Sequence, residues 1–197
     1  MPRSPEQNAV IRDKRRNKIL EKTLKLFAYE GYDDISVDDI TRAVNCSHGL
    51  FYHYFVGKED VYNALLELKA RKYSQYLAPM DQIKKEGGMK GLMLLAAFFE
   101  DLQKAPDNAL YFEKLTINED YQMKRADESA KKENLFPTIV KLVKKAQADG
   151  EARDGKPEEL AHAFIDVVNG AIERRLYAGA EGFVALSKET IISVIAK

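Results

Sequence analysis

Tryptophan is absent from this chain of 197 residues, cysteine occurs once, and six prolines and eleven glycines are all that interrupt it. The lone Cys46 excludes an intramolecular disulfide and fits a reducing compartment. No segment approaches the roughly 18 consecutive apolar residues of a membrane span. The longest apolar run, Leu92 to Phe99, reads as part of a buried helix, so no membrane partner is expected. The opening residues, Met1 to Glu6, are polar and lack an apolar core, so a secretory leader is not expected and a cytoplasmic location is. Sustained alternation of apolar and polar residues is also missing, which argues against a sheet. Net charge is zero, with 31 basic and 31 acidic residues. A protein coating nucleic acid through bulk attraction alone is usually basic overall.

What is present is segregated charge and helical periodicity. Between Arg12 and Lys25 stand Arg12, Lys14, Arg15, Arg16, Lys18, Lys22 and Lys25 against Asp13 and Glu21. Seven charges less two leave +5 there, so the rest of the chain carries −5. Ile19, Leu20, Thr23, Leu24, Phe27 and Ala28 form one helical stripe ending at Gly31. Ser36 precedes Val37, Asp38 and Asp39, an N-cap with an acidic first turn that suits the helix dipole. The short helix it opens carries Val37, Ile40, Ala43 and Val44. Asn45 tolerates a left-handed turn, and Ser47 caps a second short helix with Phe51 and Phe55 on its inner face. Gly57 breaks that helix, and a longer one runs from Lys58 toward Tyr76.

Beyond Pro79 the texture changes. Lys84 to Gly88 reads as a polar link, and four or five longer helices follow. Their expected bounds are Pro106, a turn near Asn118, a loop from Gly150 to Pro157, and a turn from Gly179 to Gly182. Pro137 should kink or begin a helix. The fold class is therefore all-α: a three-helix head over residues 1–58, then a larger helical body over residues 59–197.

Two short helices joined by a residue able to turn sharply make a helix-turn-helix, whose second helix enters the DNA major groove. With Phe51 and Phe55 turned inward, Ser47, His48, Leu50, Tyr52, His53 and Tyr54 supply its outward side chains. Hydroxyls, imidazoles and phenols donate to phosphates, and a leucine meets a thymine methyl. Gly49 lets the helix lie close to the duplex despite its low helix propensity. Lys58, at the next helix start, is placed to meet a phosphate.

Ile19-Leu20, Leu24-x-Leu26-Phe27-x-x-x-Gly31-Tyr32, Val37-x-x-Ile40, Ser47-x-Gly49-x-Phe51-Tyr52-x-Tyr54-Phe55 and Lys58-Glu59 together closely resemble the DNA-binding domain of the tetracycline-repressor (TetR) family. The resemblance spans roughly residues 12 to 65. Thr41 and Val44 stand where alanines are usual in that family, Asn45 where glycine is, and Cys46 where valine is. The resemblance implies a homodimeric repressor released from a palindromic operator by a small effector, with the last two helices forming the dimer. It also implies DNA contacts by Ser47, His48, Tyr52, His53, Tyr54 and Lys58, a base-facing Leu50, and backbone contacts by Thr41 and Arg42.

No such resemblance covers the C-terminal body, so its sites rest on chemistry alone. Met93, Phe98, Phe99, Leu102, Tyr111, Phe112, Leu115, Tyr121, Met123, Phe136 and His162 are candidates to line a cavity for a largely apolar or aromatic effector. The stretches Pro157 to Ala178 and Phe183 to Ala196 read as the last two helices. Val168, Ala171, Ile172, Ile191 and Ile195 are candidates for a two-fold interface there. The helix from Lys58 to Leu77 is the natural lever between effector and head.

An enzyme is disfavoured. Cys46, His48 and His53 match no zinc spacing, and phosphate loops, nucleotide fingerprints and serine elbows are absent. No cofactor and no metal are expected. A helical adaptor with a non-binding head is the other alternative; the basic first helix and the intact Tyr54 and Lys58 argue against it.

Overall fold

The computed structural model describes residues 4–122 and 135–197, and every described element is helical apart from one isolated bridge between Ala152 and Ala196. The chain divides into two compact units that meet at Gln75 and Tyr76. The boundary expected between residues 58 and 59 thus falls inside the first unit, because the helix beginning at Lys58 packs with the head.

In the first unit, α1 (Pro5–Glu30) starts from a capping box: Ser4 accepts from the Gln7 amide, the Gln7 side chain returns to Ser4, and proline stands in the first turn. No described side chain ahead of Ile19 is buried, so the early turns of α1 form a solvent-exposed helix carrying most of the basic cluster. From Ile19 onward the stripe seen in the sequence is core. Ile19, Leu20, Leu24 and Phe27 pack with Ile40 and Val44 of α2 (Val37–Val44), Phe51 of α3 (His48–Tyr54), and Val61 and Leu65 of α4 (Lys58–Lys72). Fully burying each such side chain contributes roughly 1.5–3 kcal/mol before the entropy of ordering it.

The second unit comprises α5 (Met80–Glu86), α6 (Gly88–Leu102), α7 (Asp107–Gln122), α8 (Leu135–Ala148), α9 (Pro157–Ala178) and α10 (Lys188–Ile192). Its core lies where α6 meets α8 and α8 meets α9, around Leu92, Leu95, Phe99, Ile139, Val143, Phe164 and Val168. Pro137 is the third described residue of α8. Gly91 is demanded by close approach: a Cβ there would lie 2.6 Å from the Ile83 carbonyl oxygen and 2.8 Å from Leu142 Cδ2.

Three expectations for this unit change. Lys84 to Glu86 close α5, and the link shrinks to Gly87, which with Gly88, the first residue of α6, stands at positive φ. The turn near Asn118 does not form; α7 runs through it. Phe183 to Ala196 is not a continuous helix, since only Lys188–Ile192 is helical and it packs chiefly on α6. The segment before α10 is held by side chains instead. Gln103 Nε2 donates to the Leu186 carbonyl at 3.0 Å, its Oε1 accepts from the Leu186 amide at 2.9 Å, and Glu100 accepts from the Lys188 amide. Arg175, buried on α9, donates to the carbonyls of Gln103 and Ala105 and to the Asp107 carboxylate, closing the turn between α6 and α7.

Candidate nucleic-acid interface

The geometry of α2, turn and α3 follows from four local choices in the sequence. Ser36 accepts from the Asp39 amide and Asp39 returns to the Ser36 amide, which starts α2. Asn45 ends it in the left-handed conformation, φ 57° and ψ 58°, where most side chains are strained. Its amide and that of Cys46 return to the last turn of α2, at the carbonyls of Arg42 and Thr41. Ser47 then caps α3 by accepting from the Leu50 amide at 3.2 Å. Phe51 and Phe55 lock the new helix to the core, both buried with ring centroids 5.9 Å apart.

With that face inward, Ser47, His48, Gly49, Tyr52 and His53 are exposed, while Leu50 and Tyr54 are half-buried at the flanks of the same surface. Tyr52 shows 56 % of its area although it is a large aromatic on a short helix. A Cβ built on Gly49 would meet nothing within 4 Å, so the protein itself does not require glycine there.

Two residues expected at the interface are turned away from it. Thr41 is buried, its hydroxyl donating to the Asp38 carbonyl at 3.0 Å, because its place on α2 falls on the core face. Lys58 reaches back into its own unit. Its ammonium donates to the Tyr32 and Asp33 carbonyls at 2.7 and 3.3 Å and stands 4.3 Å from the Tyr32 ring centre, tying the α1–α2 loop to the start of α4. Arg42 is exposed and pairs with Asp39 at 2.9 Å.

Charge around the motif is organised as well. The Ser36 hydroxyl and amide, with Arg42, hold the Asp39 carboxyl below the usual carboxylate range. Burial pushes the Cys46 thiol up, opposed by the nearby Lys18, which leaves it a poor thiolate. Arg16 lays its guanidinium 5.0 Å from the centre of the Phe55 ring, beside the C-terminal end of α3. Sequence reasoning did not single out that contact, nor the bond of 2.7 Å between Asp38 and His48, whose partners are ten residues apart. Among the described residues no cluster of three or more metal-ligating side chains occurs.

In the second unit, Phe99, Leu102, Phe112 and Leu115 are core, Phe98, Tyr111 and Phe136 are half-buried, and the Tyr121 side chain and Met123 lie outside the described residues. His162 is exposed and stacks 4.4 Å from Phe136 rather than entering a pocket. Of the proposed lining residues, Met93 borders an open groove of about 410 Å³, floored by Met89, Leu94 and Ala97 and rimmed by Lys90, Glu86, Glu151 and Lys188. Val168, Ala171, Ile172, Ile191 and Ile195, expected at a dimer interface, are all buried within the chain itself. The outward stripe of α9 is instead His162, Asp166, Gly170, Arg174 and Tyr177, the last 95 % exposed.

Residues 19–65 match the model of the bacterial regulatory proteins of the tetR family, the stretch containing α2, the turn and α3. The chain is 27 % identical over 188 residues to the HTH-type transcriptional repressor Rv1474c of Mycobacterium tuberculosis, covering 92 % of this chain and 90 % of that protein. Its fold matches the ketosteroid transcriptional regulator KstR2 of Mycobacterium tuberculosis with a TM-score of 0.56 at 16 % identity, covering 93 % and 95 % of the two chains. It also matches AibR, solved with isovaleryl coenzyme A and operator DNA, at 0.53 and 18 % identity, covering 91 % and 94 %. These likenesses and the capped helix-turn-helix agree on a DNA-binding regulator rather than an enzyme, and the tetR-family resemblance rests on residues 19–65, where the model of those bacterial regulatory proteins matches.

Proposed function

We propose that this protein is a homodimeric transcriptional repressor that binds a near-palindromic operator through α3 and is released by a small effector taken up in its second unit. The observation carrying this reading is the outward face of α3. It holds hydroxyl, imidazole and phenol side chains around a bare Gly49 where a solvated helix would carry Glu and Lys. Ser47, His48, Tyr52 and His53 are its contact residues, with Leu50 and Tyr54 at the flanks and Arg42 toward the phosphates. The exposed arginines of α1, Arg12 and Arg15, extend the surface. Operator DNA as the partner places the protein in the cytoplasm.

One short helix reads few bases, so two copies are needed, with recognition helices about 34 Å apart on one face of the duplex. The self-complementary surface we assign to this pairing is the exposed stripe of α9 around Gly170, Arg174 and Tyr177. The effector is small and largely apolar or aromatic, in keeping with the aliphatic and aromatic side chains that dominate α6 and α8. AibR, of the same fold, holds an acyl-coenzyme A and an operator. Effector binding favours a state of lower operator affinity, by no more than its preference for that state.

Selection of a random DNA library on the purified protein tests the reading. An enriched inverted repeat is expected, and small apolar compounds that shift the melting temperature should release it. No enrichment at low salt with folded protein overturns it and brings the helical-adaptor alternative forward.

A further inference from the structure

Two carboxylates open α2, and they are used differently. Asp39 serves its own helix, bonding Ser36 and pairing with Arg42. Asp38 reaches out of α2 to the first residue of α3, where its Oδ1 lies 2.7 Å from His48 Nε2. Both partners are largely solvent-exposed, at 71 % for Asp38 and 56 % for His48, so the bond adds little to folding stability. Its position is the informative property. His48 stands between the cap Ser47 and Gly49, on the face of α3 that the proposed function brings to the major groove.

The bond restricts what that imidazole shows. A free histidine turns about two side-chain torsions and presents either ring nitrogen. Here Nε2 meets the Asp38 carboxylate, which can only accept, so the contact favours the ring orientation and tautomer with Nε2–H donated and leaves Nδ1 as the nitrogen not engaged by that bond. A neutral ring held this way accepts at Nδ1, and the exocyclic amino groups of adenine and cytosine are the matching donors in the major groove. The carboxylate contributes a second effect. Close to the duplex it repels phosphate, which weakens binding to any sequence on which His48 finds no compensating partner.

We propose that Asp38 is a specificity-determining residue that acts through His48: it positions the imidazole so that one base pair in each half-site is read. This rests on the operator-binding function proposed above. Asp38 itself touches no base.

The test is library selection and sequencing with the full-length wild type, Asp38→Ala, His48→Ala and the double variant. Affinities are then measured for the selected operator and for an unrelated duplex. Asp38→Ala and His48→Ala should both lose the base preference at the same symmetric pair of positions, with the rest of the repeat retained. The ratio of operator to unrelated-duplex affinity should fall by about tenfold, partly because Asp38→Ala binds unrelated DNA more tightly. The double variant should add nothing further. Asp38→Ser, whose shorter side chain does not reach the imidazole, serves if Asp38→Ala melts early. Unchanged preferences in a folded Asp38 variant, or changes at positions His48→Ala leaves intact, overturn the proposal alone. A wild type that enriches no sequence removes the operator-binding reading and this proposal together.

Discussion

Replacing Gly49 with alanine should move folding and DNA binding in opposite directions. Within the protein the substitution is free of obstruction, because a Cβ at that position meets nothing within 4 Å and the backbone is ordinary α-helix with no positive φ. Gly49 is the second residue of α3, so the helix gains at most the propensity difference between glycine and alanine, about 0.5–1 kcal/mol. A domain of the size of the first unit translates the upper value into a rise in melting temperature of roughly 4–8 °C. Against DNA the sign reverses. Gly49 lies between His48 and Tyr52 on the outward face, and in the proposed complex its missing side chain would let the α3 backbone approach the floor of the groove. A methyl group inserted into a closely packed contact costs about 1–3 kcal/mol, hence a loss of roughly 5- to 150-fold in operator affinity. Urea or thermal unfolding and a binding titration on the same preparation give the two numbers. A variant that is more stable and binds its operator as tightly as the wild type would refute the assignment of this face to the groove.

Three further outcomes follow from other contacts. Substituting Arg12 and Arg15 together by glutamine should reduce the slope of log affinity against log salt by about 0.9 for each phosphate contact removed, without altering the selected sequence; an unchanged slope would take α1 out of the interface. Arg175→Leu removes three donors from the closed turn between α6 and α7 and strands two buried carbonyls. It should lower unfolding free energy by about 3 kcal/mol in a urea titration, and a loss below 1 kcal/mol would mean the turn closes without it. Thr23 is fully buried and its hydroxyl has no partner, so Thr23→Val should stabilise the chain by about 1 kcal/mol; destabilisation would show that the hydroxyl is satisfied in solution.

The head was legible in the sequence because its signals are local. Ser36, Asn45 and Ser47 act on backbone groups within four residues, and Phe51 and Phe55 lie one turn apart, so spacing alone carries the information. Thr41 and Lys58 show where locality fails. Thr41 faces inward by its phase on α2, and Lys58 is drawn to carbonyls twenty-five and twenty-six residues away, a distance over which no spacing pattern operates. The pair of Asp38 and His48 was invisible for the same reason. In the second unit apolar periodicity identified α9 correctly but not the destination of its apolar face. Val168, Ala171 and Ile172 satisfy an intramolecular core and an intermolecular one equally well by composition, and only the packing of α7 and α8 on α9 decides. The segment from Phe183 to Ser187 carries the residues of a helix yet is not helical: Gln103 supplies the Leu186 backbone with both partners from outside, and Glu100 accepts from the amide of Lys188 just beyond it.

That last arrangement has a consequence for how the end of the chain keeps its place. Gln103 gives Leu186 one donor and one acceptor, as a neighbouring strand would, and a single side chain thereby sets the register of a segment with no sheet to join. The Arg153 amide donates to the Ile195 carbonyl, and the Lys197 amide to that of Glu151, so the tail is indexed at two points with α10 suspended between them. A slip of one residue at either index would withdraw Ile191, Ile192 and Ile195 from the core at once. The two anchors thus fix the length of peptide between them, and shortening it by even one residue should draw these three side chains out together.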